Sequence, residues 1–594
     1  MNASAPDPTQ TYTIPLLIGV VGHRDLLVEE LPALRAAITQ VLQRLQAADR
    51  AVRVKLLSSM ADGADLLAAD AASELGIDVI ALLPFSEAQC RADLETDAAR
   101  TRFDAIMGRA ERLELSRPEG GSDGGLEESP AMRDQQFARA GAILARYCSV
   151  LIAMWDGEET GHVAGTARVV DHRRRGLSAG ESAAPDGLDP FFSGDDNDLT
   201  YEIRCSRRST ARAGQAPAGV RVLGFTSGGG AHQTLAEGIP PSLLTLLKRT
   251  GEFNADVTDF ERKIARSGRR LAPATPHEIP QALQYIDGLF RAADCLGSHF
   301  RRCFTRALAA RYAMWAALAL LLLTFKKTYE GSFGLVSISG VLLIFALGWV
   351  LALWAHRREW HRRFVDYRGL AEGLRVEFYW ELAGVRSELA GEFAHESFLQ
   401  KQDVDLEWIR AAMRSVSLRC ALYPRCTWPN GFEHTFAAWV GDADPVNGSG
   451  QLQYYRMRSR ALHRRQATAE RIAQAMLFGG LAMGVTLAVD SALRAFGMPL
   501  VTAFARTLLV WGLAMLTVYG AIFEIYLHEK ADRLLIRQYR YMDSLFSYAA
   551  RELRSRRAPL EQLEILRSLG HACLAEHAQW ILAHRDKRIE GMRW

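Results

Sequence analysis

Four apolar stretches, grouped as two pairs, constrain the fold of this chain more than any other feature. Tyr312–Phe325 pairs with Phe333–Ala355, and Ile472–Val489 with Thr507–Phe523. A helix needs roughly 20 apolar residues to cross about 30 Å of hydrocarbon. Phe333–Ala355 meets this with no charge inside it, and Ile472–Val489 and Thr507–Phe523 also carry no formal charge. Tyr312–Phe325 is the shortest, but Arg311 before it and Lys326 and Lys327 after it can snorkel and lengthen the span. Helices buried in a soluble core rarely come as paired hairpins with basic flanks. The pattern therefore predicts an all-α, four-helix transmembrane domain whose partner is the lipid bilayer.

Arginine sets the expected orientation. Arg301, Arg302, Arg306 and Arg311 precede the first span, and Arg357, Arg358, Arg362 and Arg363 follow the second. Arg456, Arg458, Arg460, Arg464, Arg465 and Arg471 precede the third, and Lys530, Arg533, Arg537 and Arg540 follow the fourth. The hairpin loops hold only Lys326, Lys327, Arg494 and Arg506. By the positive-inside rule both termini and the middle segment are cytosolic. Each hairpin exits into a Tyr-Arg helix, at Tyr367-Arg368 and Tyr539-Arg540, which predicts cytosolic helical extensions. Gly480 and Gly484 form a GxxxG motif in the third span, compatible with packing inside the chain or with a homo-oligomer. Asp490 and Glu524 lie at span margins and read as snorkelling acids.

The first part of the chain has a different rhythm. Ile14–Val21, Val52–Leu57, Ile77–Leu83 and Ser149–Trp155 read as strands, with helices at Glu29–Leu45 and Leu66–Leu75. Alternating strands and helices predict an α/β doubly wound parallel sheet. Ligands of such sheets lie at the carboxyl ends of the strands. Gly22, His23, Arg24, Asp62, Gly63, Asp156, Gly157, Gly165 and Thr166 are expected there as ligand-binding residues. Gly22 and Gly165 permit close backbone approach to a phosphate, with helix N-termini offering free N–H groups. Thr166 adds a hydroxyl donor, Arg24 can pair with an anion, and Asp62 or Asp156 can accept from ribose hydroxyls. Glu119–Ser129 and Gly441–Gly450 read as loops, and Arg173–Gly219 as a long insertion before a last strand at Val220–Phe225.

At 594 residues the chain exceeds one ordinary domain, and a net charge of +3 gives no reason to expect nucleic-acid binding. The eight cysteines are scattered and read as reduced thiols. No second Cys or His pair stands at metal spacing beside Cys420 and Cys426, so no metal is expected. Met1–Thr13 is polar, with Pro6 and Pro8, and does not read as a secretory signal.

The strings GVVGHRDL, SSMADGADLLAADAASELGIDVIALLPF and SVLIAMWDGEETGHVAGTARVV resemble the SLOG superfamily. This is the Rossmann-like group related to the lonely-guy phosphoribohydrolases and to DNA-processing proteins of the DprA type. The resemblance covers about Ile14–Gly176. Phe290-Arg291-Ala292-Ala293-Asp294, Trp439-Val440 and Tyr454-Tyr455 are similar to SLATT-type membrane hairpins. The resemblance implies a SLOG-like nucleotide-ligand-binding domain over 1–235, a helical connector at 236–300 and a first transmembrane hairpin with cytosolic helix at 301–390. A cytosolic middle segment at 391–470 and a second hairpin with C-terminal helices at 471–594 follow. It further implies a bacterial inner-membrane effector of antiphage or stress response, which senses a nucleotide-derived ligand, needs no other cofactor and permeabilises the membrane. Lonely-guy enzymes carry a Gly-Gly-x-Gly-Thr-x-x-Glu loop. Here the acid position is Val169 and the opening glycines are His162 and Val163, so hydrolysis is disfavoured. A membrane-anchored nucleotide N-glycosidase and a nucleotide-regulated channel or transporter are the alternatives.

Overall fold

The computed structural model describes residues 12–115, 130–158, 165–175, 199–209, 219–226, 233–234, 236–271, 279–328, 332–385, 398, 404–422, 428, 430–442, 448–530 and 532–585. The expected loop at Glu119–Ser129 lies outside them, as do residues 443–447 of the Gly441–Gly450 loop. The chain forms two compact units. One comprises Met1–Leu296, Asp366–Pro429 and Gly570–Trp594; the other comprises Gly297–Val365 and Asn430–Leu569.

The first unit is built on a seven-stranded sheet. In chain order its strands are β1 (Leu16–Gly22), β2 (Val54–Ser58), β3 (Asp78–Leu83), β4 (Glu111–Glu114), β5 (Val150–Trp155), β6 (Thr200–Arg204) and β7 (Arg221–Thr226). Across the sheet the order is β4-β3-β2-β1-β5-β6-β7. Every neighbouring pair is parallel except β6 with β7, so the sheet is mixed, with an antiparallel edge on a parallel body. The helices between the strands are α1 (Leu31–Ala48), α2 (Ala64–Glu74), α3 (Glu87–Ala92), α4 (Asp97–Met107), α5 (Pro130–Tyr147) and α6 (Thr166–Arg175). α1 packs on α2 and α5 on α6. β1 and β5 are almost wholly buried, as expected for strands covered on both faces. Chain order reverses between them, which makes their carboxyl ends the topological switch point.

Two strands escape the sequence pattern. β4 has only Leu113 buried among its charges. β6 falls inside the stretch read as an insertion over Arg173–Gly219 and is an interior strand of the sheet. Its sequence TYEIR is polar, yet Thr200 and Glu202 are fully buried. Glu202 is tolerated there because Arg204 pairs with it at 3.2 Å and Trp155 Nε1 donates to it at 3.4 Å.

The same unit holds α7 (Pro241–Asp259), α8 (Glu261–Ser267) and the first part of α9 (Gln281–Thr328). It also takes most of α11 (Trp360–Ala383), all of α12 (Glu407–Leu422) and the end of α17 (Pro559–Arg585). Asn254 of α7 clamps the chain just before β1: its Oδ1 accepts from Ile14 N at 2.9 Å and its Nδ2 donates to Ile14 O at 2.9 Å. Phe253, Tyr367 and Trp408 form a buried aromatic cluster with centroids 5.2 to 6.0 Å apart. Buried charges among these helices are paired. Glu372 meets Arg368, Arg375 and His577; burial opposes its ionisation, but these cations pull its pKa down to about 2.

The second unit is helical. It contains the rest of α9, then α10 (Ser332–Arg357), α13 (Gly431–Thr435), α14 (Gly450–Ala495), α15 (Ala503–Lys530) and α16 (Asp532–Ser555). Among the described residues four helices are long and apolar enough to cross a membrane, and α9, α10, α14 and α15 contain the four expected spans. Their large side chains face outward: Leu342, Phe345 and Trp349 on α10, and Leu477, Phe478 and Leu481 on α14, are exposed. So much contiguous exposed apolar surface needs lipid around it, and the chain is a multi-pass membrane protein. Gly480 and Gly484 pack against Leu513 and Leu516 of α15, so the GxxxG motif serves packing within the chain. Asp490 closes that hairpin. It accepts from Leu500 N at 3.0 Å and Val501 N at 3.1 Å and pairs with Arg494 at 2.7 Å. Tyr519 of α15 donates to Ala316 O of α9 at 3.0 Å, which joins the two hairpins.

Candidate functional site

The expected ligand residues of β1, β2 and β5 come together at the carboxyl ends of those strands. His23 N donates to Met154 O at 3.0 Å as β1 ends. Asp156 N donates to His23 Nε2 at 3.0 Å. The Asp156 carboxylate Oδ1 stands 3.1 Å from the same nitrogen, so Nε2 accepts from the Asp156 N–H when bare and donates to the carboxylate when protonated. Burial lowers the pKa of His23, against the charge of the Asp156 carboxylate and its hydrogen bond to the ring. The pair therefore acts as a clamp across the switch point.

Gly22 and Gly63 are needed for packing. A Cβ on Gly22 would run into Ala64 Cβ and Met154 O, and one on Gly63 would run into the carbonyls of His23 and Arg24. Gly63 also has φ +77°, which L side chains rarely adopt. Asp62 has both oxygens engaged: Oδ1 accepts from Gly63 N at 2.9 Å and Oδ2 from Glu95 N at 3.0 Å. Gly157, at φ +90°, lies against the Arg204 guanidinium, which stacks 4.5 Å over the Trp155 ring. Arg24 stacks 4.1 Å over the Phe137 ring of α5.

Gly165 and Thr166 open α6. Gly165 O accepts from Arg168 N at 3.0 Å, and Thr166 is buried. Residues 159–164, which lead into this turn, lie outside the described residues. Val169, at the position of the lonely-guy acid, is buried against Ala145, Cys148 and Leu151. A carboxylate there would be charged and without a partner in an apolar core.

Sequence reasoning missed three groups at this edge. Asp65, in the first turn of α2, is buried; burial raises its pKa to about 7, against the pull of Arg24 and of the Ala61 and Ser59 N–H groups. Asp25 anchors the segment after β6, with Arg207 at 3.2 Å and Ser209 on its other oxygen. Burial works against its ionisation, but Ser209 and Arg207 hold its carboxyl below the usual value. Arg204, the third, stands on the strand hidden by its polar sequence. The run Ala61-Asp62-Gly63-Ala64-Asp65 did carry a signal for Asp65, an acid in a helix's first turn beside small residues.

Among the described residues no group of three or more His, Cys, Asp or Glu side chains is placed to hold a metal ion. No family model matches the chain, and no curated protein or solved structure matches it. What stands is a two-part architecture: a mixed α/β domain and a multi-helix domain with helices of membrane-spanning length.

Proposed function

We propose that the chain is a bacterial inner-membrane sensor–effector. The α/β unit binds a nucleotide-derived anion at the β1–β5 switch point, and binding controls the four-span domain so that it permeabilises the membrane. The observation that carries this reading is the gathering of Arg24, His23 and Asp156 at that switch point, in a chain whose other unit exposes membrane-length apolar helices. The arginine flanks support cytosolic termini, and the SLOG resemblance supports a nucleotide and a role in antiphage or stress response. The buried setting of Val169 speaks against the lonely-guy hydrolase alternative, because it leaves the Gly165-Thr166 turn without its acid.

The test uses the purified full chain in detergent. A panel of phosphorylated nucleosides is screened by thermal unfolding, with mass spectrometry of small molecules that co-purify. At least one nucleotide is expected to raise the midpoint of wild type and to do so less in Arg24→Ala, without release of free base. A panel that leaves wild type unmoved, together with an empty co-purification, would refute nucleotide sensing. Enzymatic release of base would establish the glycosidase alternative.

A further inference from the structure

The first helices of the two hairpins carry arginine at matching positions. On α9 the series is Arg302, Arg306, Ala313, Leu320; on α14 it is Arg460, Arg464, Arg471, Phe478. The spacing is the same in both: four residues, then seven, then seven. At about 100° per residue each series falls within an arc of roughly 40°, so each forms one stripe along its helix. All eight residues are exposed, and each stripe leads into exposed apolar side chains: Leu320 is 41% exposed on α9 and Phe478 64% on α14. The α14 stripe continues into Val485 and Val489, which are also exposed. Among the described residues none of Arg302, Arg306, Arg460, Arg464 and Arg471 forms an ion pair. Arg302 donates only to its own helix, through Nε to Ser298 O at 3.1 Å.

The opposite face of α14 behaves differently. Arg458 and Arg465 align with Met476, Gly479 and Met483, the face that packs on Gly520, Leu516 and Gly512 of α15. Charge beside the span is therefore present on both faces, but only one face runs on into lipid. At about 1.5 Å per residue Arg471 adjoins the first apolar residue of its span, Arg306 and Arg464 stand roughly 9 and 12 Å before theirs and Arg302 and Arg460 roughly 15 and 18 Å, so each stripe runs from the headgroup layer out along the anionic membrane surface.

We infer that the Arg302–Arg306 and Arg460–Arg464–Arg471 stripes are binding sites for the phosphate of anionic phospholipid headgroups, one on each hairpin. The fork of donors on each guanidinium suits bidentate phosphate contact, and the acyl chains follow the exposed apolar stripe below. The sites stand on the membrane reading alone and do not depend on nucleotide sensing.

The test is native mass spectrometry of the full chain in detergent, titrated with short-chain phosphatidylglycerol and, separately, with phosphatidylcholine. Near an anionic surface each arginine is worth about a fivefold change in affinity. Arg460→Ala/Arg464→Ala is expected to weaken phosphatidylglycerol binding about thirtyfold at its site, and Arg302→Ala/Arg306→Ala to do the same at the other. Arg460→Lys/Arg464→Lys keeps the charge and is expected to stay within about fivefold of wild type. Arg458→Ala/Arg465→Ala, on the helix-packed face, is expected to change affinity less than about threefold. Equal affinity for phosphatidylcholine, unchanged binding in both stripe variants, or an equal loss in Arg458→Ala/Arg465→Ala would each overturn the inference. Displacement of the lipid by glycerol phosphate at comparable concentration would also overturn it, because the site would then belong to a soluble phosphate.

Discussion

Asp65 offers a direct test of the chemistry at the sheet's carboxyl edge. The residue is 6% exposed, and burial raises its pKa from 3.8 to about 7. A carboxyl with a folded pKa above its unfolded value keeps a proton in the native state that the unfolded chain has already released. Its ionisation therefore destabilises the fold: stability falls as pH rises above about 4 and levels off beyond about 7. Three pH units at about 1.4 kcal/mol each set the full swing at about 4 kcal/mol. Asp65→Asn keeps an oxygen for the Ser59 and Ala61 N–H groups and removes the ionisation. Guanidinium unfolding of both proteins at pH 5 and pH 9, read at the first cooperative transition, isolates the effect. His23 contributes an acid-side dependence, since burial lowers its pKa, but it is common to both proteins and cancels in the difference. The variant is expected to gain about 3 kcal/mol on wild type between the two pH values. A constant difference from pH 5 to pH 9 would show that Asp65 is ionised throughout, and the account of this edge would fail.

Gly22→Ala drives a methyl into Ala64 and the Met154 carbonyl, so it is expected to lower the unfolding midpoint by the equivalent of about 1–3 kcal/mol with or without ligand; an unchanged midpoint would show that the close approach is not structural. Reporter fusions at Glu330 and Phe496 are expected to read periplasmic and a fusion after Trp594 cytosolic; a cytosolic signal at Phe496 would break the proposed orientation.

The membrane helices and the body of the sheet were legible because their signals are local. Apolar length marks α10 and α15, and apolar strand runs ending in Gly or Pro mark β1 and β3. β6 was hidden because its burial depends on partners far away in sequence: Glu202 reads as a surface residue until Trp155 and Arg204 are seen around it. The site residues were legible as positions and not as contacts. A strand–turn–helix pattern puts His23 and Asp156 at one edge, but nothing in the pattern says that an Asp156 N–H occupies the His23 nitrogen. The glycines carry two readings for a related reason. Room for a phosphate and room for a neighbouring backbone demand the same missing Cβ, and at Gly22 and Gly63 the neighbouring chain fills it.

These contacts bear on how a ligand could act. The polar groups at the switch point are engaged with one another: Asp62 with two backbone N–H groups, Asp156 with His23, Arg24 with the Phe137 ring and the field of Asp65. An anion that drew Arg24 away would remove the cation that favours Asp65 ionisation and would loosen α5 at Phe137. An anion lodged beside His23 would favour its protonated form and break the N–H bond from Asp156. Binding at such an edge cannot leave it unchanged, because the ligand must replace contacts that already hold β1, β2 and β5 together. A ligand shifts a conformational equilibrium only through a difference in affinity between two states. For the proposed sensor, that difference would arise between a state that keeps these contacts and one in which the ligand has replaced them. Rearrangement of these contacts is the step the proposed sensing role calls for.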